Sequence, residues 1–231
     1  MVSARGINAH GQSEHSPSEA DETDRASRAR DRRAGRRAEI AGVALRLMAE
    51  HGLSDATNTR IAEAIGVSEP ALYAHFENRA DILASAMDVL VERITRWVRL
   101  SSNPNMLDRL REIGERHASY MAQELEGFVL PTFEFIASPR RLGLSQRFGQ
   151  GIIEIMGMIA DLVEQGQAQG TIRKNIDPEL AASELLMFAW AEDIARLTGL
   201  DQLVDNGTFL KVLDLFIRDL AAPTSERPVT T

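Results

Sequence analysis

Cysteine is absent from this chain of 231 residues, which excludes disulfides and thiolate metal sites and fits a reducing cytoplasm. A long apolar run is missing too. The richest stretch, Gly151 to Val163, is broken by Glu154 and Asp161 and is too short to cross a bilayer. The N-terminus has no apolar signal-peptide core, so a cytoplasmic protein without a membrane partner is the expectation. The motifs of catalysis are lacking as well. The five histidines (His10, His15, His51, His75 and His117) are scattered, and no HExxH, nucleophile elbow, phosphate loop or EF-hand spacing occurs. Acidic pairs such as Asp21-Glu22 and Glu192-Asp193 read as solvated faces rather than acid–base couples. No catalytic residue, cofactor or metal ligand is therefore predicted. There is no internal repeat and no convincing period-2 run that would signal a strand.

What is present is a globular composition, 44% hydrophobic and 5% aromatic, in a chain long enough to bury roughly 70% of its unfolded surface. The net charge of −8 is unevenly spread, with −4 over residues 1–24, +3 over residues 25–100 and −7 over residues 101–231. A basic segment joined to an acidic one is the electrostatic footprint of a nucleic-acid module attached to a partner domain.

The basic segment contains TNTRIAEAIGVSEPALYAHFENRADIL, from Thr57 to Leu83. Thr57 is a good helix N-cap, Ile61, Ala62 and Ile65 supply an apolar stripe, and Gly66 falls where the chain must leave the helix. Ser68 caps a second short helix with Pro70 in its first turn, where a missing N–H costs nothing. Leu72 and Phe76, four apart, give that helix a buried edge. Two short helices joined by a tight Gly-containing turn form the motif that lays its second helix in the DNA major groove. The N-terminal residues of such a helix point at base edges, so Glu69, Pro70 and Ala71 are the reading candidates. Glu69 can accept from a cytosine amino group, and the Ala71 methyl can touch a thymine methyl.

The string IAEAIGVSEPALYAHFENRADIL resembles the DNA-binding domain of the TetR family of bacterial transcriptional regulators. The family's apolar-Ala pair, Gly-Val-Ser turn, Leu-Tyr-x-His-Phe recognition helix and following basic residue are here Ile61-Ala62, Gly66-Val67-Ser68, Leu72-Tyr73-x-His75-Phe76 and Arg79. The match covers about residues 36 to 100. Asn58 stands where the family usually has an apolar residue, and Arg79 where Lys is commoner. The resemblance implies DNA-backbone contacts from Tyr73 and His75, with Arg79 and the cap residues Thr57 and Ser68 nearby. Without the motif around them, those two rings would read as ordinary packing between helices.

Along the chain, residues 1–32 hold hardly any large apolar side chain and read as a disordered, Arg-rich N-terminal arm. Arg25, Arg28, Arg30, Arg32, Arg33, Arg36 and Arg37 crowd its end, either as an arm that reaches DNA or as a lead-in to helix one. Residues 33–100 form the helix-turn-helix domain. Helix one runs from about Arg36 to His51 with Ile40, Val43, Ala44, Leu47 and Met48 on one stripe, and helix four is capped by Asn78 with Asp81 three residues on. Residues 101–222 read as five further helices, over about 106–124, 128–137, 143–169, 177–197 and 209–220. The third of these is apolar on more than one face. Residues 223–231 are a flexible tail, loose from about Ala222.

The resemblance implies an all-α fold: an N-terminal three-helix helix-turn-helix domain and a C-terminal helical ligand-binding and dimerisation domain. It implies a mostly apolar cavity in the second domain, assigned to Trp97, Tyr120, Phe128, Phe133, Phe148, Ile152, Met156, Met187 and Trp190, although such residues are simply core in most helical domains. It also implies that helices eight and nine pair with their copies as a four-helix bundle, through Leu186, Ile194, Phe209, Leu213, Phe216 and Leu220. The 4-3-4 spacing of the last four supports a helix seam independently, and burial inside one subunit would produce the same spacing. The prediction is a homodimeric repressor that binds a palindromic operator in double-stranded DNA and is released by a small, largely apolar effector. The alternatives are a regulator of this type controlled by a protein partner or by no effector, and a helical interaction or enzymatic protein with a vestigial helix-turn-helix.

Overall fold

Apolar residues recurring every three or four positions give each segment of this chain one stripe to bury, and helices that share a core are the result. The computed structural model describes residues 19–123, 128–200, 202 and 207–223, and the side chains of these except at 19–22, 97 and 120–123. In chain order the helices are α1 (Glu19–His51), α2 (Asn58–Ala64), α3 (Glu69–Leu72), α4 (Arg79–Leu100), α5 (Met106–Gln123), α6 (Val129–Ala137), α7 (Leu144–Gln169), α8 (Pro178–Leu197) and α9 (Thr208–Leu220), with a 3-10 turn at Arg140–Leu142. One isolated antiparallel bridge, Ile172 with Ala221, is the β pairing among the described residues. No described helix is long and apolar enough to cross a membrane.

The chain divides into two compact units, residues 1–36 and 37–231. In the first, the expectation of a disordered arm is corrected for residues 19–32, since the chain is helical from Glu19; residues 1–18 lie outside the described residues. The sequence reading asked only whether enough apolar surface existed to repay ordering. Residues lengthening a helix that is already nucleated do not need it, because Ala, Arg and Glu are strong helix formers and opposite charges four apart add support. Asp24 and Arg28 form such a pair at 2.7 Å.

The second unit is organised on α7, which lies against α4, α5, α6 and α8, while α9 lies against α5 and α8. One continuous core runs from Ile40 to Leu220. α7 buries Phe148, Ile152, Ile155, Ile159, Leu162 and Val163, as its apolar character predicts, but Ile153 is exposed. α7 ends at Gly170, whose φ of +73° lets the chain leave the helix in the left-handed conformation. The chain then crosses back to α9. Arg173 N donates to Leu220 O and Ala222 N donates to Thr171 O, each at 2.9 Å. The end of the chain is therefore pinned at Ala222, which is buried, rather than loose there; residues 224–231 lie outside the described residues.

Two glycines let α7 approach its neighbours closely. A Cβ on Gly151 would come within 2.5 Å of Val91 on α4, and one on Gly166 within 2.4 Å of Ile172. Gly166→Ala is expected to lower stability by about 1–3 kcal/mol through overpacking. Gly157→Ala on the same helix, where a Cβ meets nothing within 4 Å, should raise it by roughly 0.5–1 kcal/mol. Urea midpoints of the two variants check the contrast, and equal shifts would refute it.

Candidate nucleic-acid interface and ligand cavity

Gly66, with a φ of +70°, makes the turn between α2 and α3, a backbone conformation that a Cβ would strain. Val67 N donates back to Ala62 O at 3.0 Å, and Ser68 opens α3 with Pro70 in its first turn. Ile61, Ala62, Leu72 and Phe76 are buried in the common core. Only Glu69–Leu72 are regular helix, and the N–H groups of Tyr73, Ala74, His75 and Phe76 continue the turn by bonding to Pro70, Ala71 and Leu72. The outer side carries Ser68, Pro70 and Tyr73 exposed, with Glu69, Ala71 and His75 half-buried. At the start of α2, Thr57 accepts from Arg60 N at 3.3 Å, whereas Ser68 makes no side-chain cap bond.

Several of these residues are tied to one another. Asn58 Nδ2 donates to Tyr73 Oη at 2.5 Å, and Asn58 Oδ1 accepts from Arg79 at 3.3 Å. The residue that departs from the family pattern thus bridges α2, the end of α3 and the start of α4. Thr59 Oγ1 donates to Glu69 Oε2 at 2.9 Å, so the reading candidate Glu69 leans on α2. Arg79 also donates to Ala56 O at 2.7 Å and Leu53 O at 3.0 Å. Its guanidinium closes the connection between α1 and α2, whose carbonyls would otherwise lack donors.

Arg37, expected within the Arg-rich arm, is instead the brace behind α3. It grips Asp81 with both nitrogens at 2.9 and 3.1 Å, donates to Ser85 Oγ at 3.1 Å and to the carbonyl of His75, and lies 4.3 Å over the Phe76 ring. The Arg37 hydrogen bond, with a second from the Glu77 N–H, holds the Asp81 carboxyl below its ordinary range despite partial burial. Asp81 N donates to Asn78 Oδ1 at 3.0 Å as expected of the cap, but the returning bond goes to Glu77 N rather than to Asn78. A side chain 81 residues further along the chain reaches the same region: Glu134 on α6 accepts from Leu53 N at 2.7 Å.

Above this, α4 to α9 enclose a narrow cavity of about 90 Å³ lined chiefly by apolar side chains. Of the residues expected there, Phe128, Phe148, Ile152 and Trp190 line it. Three expectations are corrected. Met187 is 64% exposed on the outer face of α8, Phe133 packs beside Val129, and Met156 packs against the core without reaching the cavity. Aromatic and Met content marks what a helix can bury, not where it buries it. Trp97 and Tyr120 lie outside the described side chains.

The dimer assignments change more. Leu186 and Phe209 line the cavity, and Leu213, Phe216 and Leu220 are buried inside the subunit, where Leu213 meets Gly114 of α5. Arg111 of α5 pairs with Asp214 of α9. The 4-3-4 seam of α9 is thus used up within one chain. Ile194 alone of that group is open, at 48% exposure, and Leu180, Met187 and Leu197 on α8 and Leu210 and Leu215 on α9 are exposed with it.

At one end of the cavity stands a polar cluster that the sequence reading placed in solvent. Glu192 is 4% and Asp193 8% exposed, beside the buried His117. His117 Nδ1 lies 3.2 Å from Glu192 Oε2, Arg196 donates to Glu192 Oε1 at 2.8 Å, and the His117 ring lies tilted against Phe209 with centroids 5.7 Å apart. Burial alone would raise the Glu192 carboxyl, but the bonds from His117 and Arg196 outweigh it and hold it below its usual value. Burial of Asp193 pushes its carboxyl up to about 6. A signal for this existed in the sequence, because Ala182, Leu186, Ala189 and Asp193 recur at 4-3-4 spacing, so the acid lies on the apolar stripe of its own helix.

Comparison with known proteins adds to this geometry. The family model described as "Bacterial regulatory proteins, tetR family" matches residues 40–86. The chain is 28% identical over 172 residues to the HTH-type transcriptional repressor KstR2 of Rhodococcus jostii, covering 68% of this chain and 78% of that protein. It is 23% identical over 147 residues to the fatty acid metabolism regulator protein of Bacillus subtilis, covering 62% of this chain and 74% of that one. In fold it is similar to a TetR transcription regulator from Haloarcula marismortui, with a TM-score of 0.72, 21% identity, and 81% and 99% of the two chains covered.

Proposed function

Since the chain belongs to the TetR family of bacterial regulatory proteins and is a DNA-binding transcriptional regulator, we propose that it acts as a homodimeric repressor of a near-palindromic operator, released by a small, largely apolar effector. Chemical turnover is no part of this reading. The observation that carries it is the double membership of α4. Its capped start at Asn78 braces the recognition helix, and its C-terminal half, through Leu90, Ile94 and Val98, lines the cavity.

DNA contact is assigned to Ser68, Pro70, Tyr73 and the N-terminus of α2 at Thr57, with Glu69 and Ala71 as base readers and His75 and Arg79 supporting the surface they form. The relatives named as a repressor and as a fatty acid metabolism regulator fit a repressor with an apolar effector. A cavity of about 90 Å³ has room for the volume of about three waters, whereas small-molecule sites hold about 300–1,000 Å³. An effector therefore has to separate the lining helices, and it shifts the regulator because it binds the opened arrangement better than the closed one.

The dimer face is assigned to the open stripe of α8, where Met187, Trp190, Ile194 and Leu197 are exposed at 3-4-3 spacing and Leu180 lies two turns earlier. A two-fold dimer presents two recognition helices, so half-sites should lie about one helical turn, roughly 34–36 Å, or a multiple apart. The double substitution Met187→Asp, Ile194→Asp should give monomers by analytical ultracentrifugation and abolish footprinting of the paired half-sites. Monomers that protect an operator as well as the parent protein does would overturn the reading.

A further inference from the structure

We propose that Asn58 is a positioning residue for DNA binding: it makes the Tyr73 hydroxyl an outward donor to a backbone phosphate. The proposal deepens the reading of α3 as the DNA-contacting helix and rests on it. Asn58 is the first residue of α2, and Tyr73 follows α3 as its C-cap. Asn58 Nδ2 donates to Tyr73 Oη at 2.5 Å, and Asn58 Oδ1 accepts from Arg79 at 3.3 Å.

The supply of donors fixes the direction of this chain of bonds. A guanidinium has donors and no acceptor, so the oxygen end of the Asn58 amide has to face Arg79 and the NH2 end has to face Tyr73. The Tyr73 oxygen is therefore an acceptor toward Asn58, and its one hydrogen remains for another partner. No acceptor for that hydrogen occurs among the described residues, and Tyr73 is 43% exposed. A phosphodiester oxygen accepts and does not donate, so a hydroxyl that keeps its hydrogen is what it requires.

Arg79 is itself held, donating to Ala56 O at 2.7 Å and to Leu53 O at 3.0 Å. The relay thus starts from the backbone of the connection between α1 and α2. An oxygen that accepts one bond becomes a better donor in the next, and an O–H bond to phosphate is charge-assisted. An apolar residue in place of Asn58, as the family pattern usually has, would leave the Tyr73 oxygen without this donor.

Two substitutions change the bond differently. Asn58→Asp keeps the shape and the bond from Arg79 but has no N–H, so the Tyr73 hydrogen is drawn inward to the carboxylate and is lost to DNA. Asn58→Leu removes the donor without adding charge. An acid is favourable in the first turn of a helix, and both variants should keep the parent's circular dichroism and cooperative melt.

The test is a double-substitution cycle on the full chain, read by fluorescence anisotropy with a duplex of random sequence at low salt, since phosphate contacts do not depend on sequence. Tyr73→Phe should weaken binding at least about fivefold. It should not change how steeply affinity falls with salt, because a neutral phenol releases no counterion. In the Asn58→Asp background the same Tyr73→Phe step should weaken binding by less than about twofold, and in Asn58→Leu by less than in the parent. A merely structural role for Asn58 would leave the Tyr73 factor equal in every background. An undiminished factor in either background, or parental affinity in Tyr73→Phe, overturns the proposal and leaves α3 as the DNA-contacting helix. If the parent itself does not bind the duplex, both fall.

Discussion

Arg37→Ala should lose most of its operator affinity, by at least about tenfold, while its helical content is retained. The side chain does four things at once: it grips Asp81 bidentately, bonds Ser85, holds the carbonyl of His75 and covers the Phe76 ring. Each charge-assisted bond is worth about 1.5–3 kcal/mol where it is sheltered. With both partners of the pair roughly a third exposed or less, a total of about 2–3 kcal/mol is the reasonable expectation. That is enough to loosen the segment after α3 without unfolding the chain. Arg37→Lys should recover little, since an ammonium cannot reproduce the planar fork. A lowered carboxyl contributes stability above its unfolded value and loses it as the pH falls through its folded one. The stability gap between the parent and Arg37→Ala should therefore be full at neutral pH and shrink below pH 3.8. Paired urea melts and DNA titrations check both points, and unchanged operator affinity would show that the brace is not needed for reading DNA.

Glu134→Ala is expected to separate effector binding from operator release. Phe128 and Thr132, at the start of α6, line the cavity, and Glu134 on the same helix accepts from Leu53 N at 2.7 Å. Leu53 O in turn accepts from Arg79, and Arg79 reaches Asn58 and through it Tyr73. A ligand that opens the cavity by moving α6 would therefore pull on the connection that seats the recognition helix. This route adds to the one through α4. Coupling between two such sites is typically about 1–3 kcal/mol, or 5–150-fold in affinity, and it is reciprocal. In Glu134→Ala the effector should bind with near-parental affinity in the absence of DNA. The factor by which operator DNA weakens it should drop by at least about threefold, if α6 carries a substantial share of that coupling. Titrations of effector with and without operator measure the factor in both proteins. Full coupling in the variant would assign the whole effect to α4 or to another path.

The helices themselves were legible in the order of residues. Ile40, Ala44 and Met48 on α1, Ile82, Leu83, Met87 and Leu90 on α4, and the long apolar run of α7 are buried as their spacing requires, because helical periodicity is a local property that burial reads one face at a time. The helix-turn-helix was equally legible, since Gly66, Ser68 and Pro70 act on the backbone within a few residues of themselves. Other questions turn on which of several equivalent surfaces meets which, and those only the tertiary structure decided. The seam of α9 and the stripe of α8 have the same spacing, yet the first is spent on α5 and the second is left open; a heptad pattern states that a partner is wanted and not where it comes from. Arg37 looked like its neighbours in a basic run, and only the fold brings Asp81, 44 residues later, within reach of its fork. Glu192 and Asp193 looked like solvent-facing acids because charge argues for water. Their burial depends on His117, 75 residues earlier than Glu192, arriving from another helix, and on a cavity that no single helix encloses.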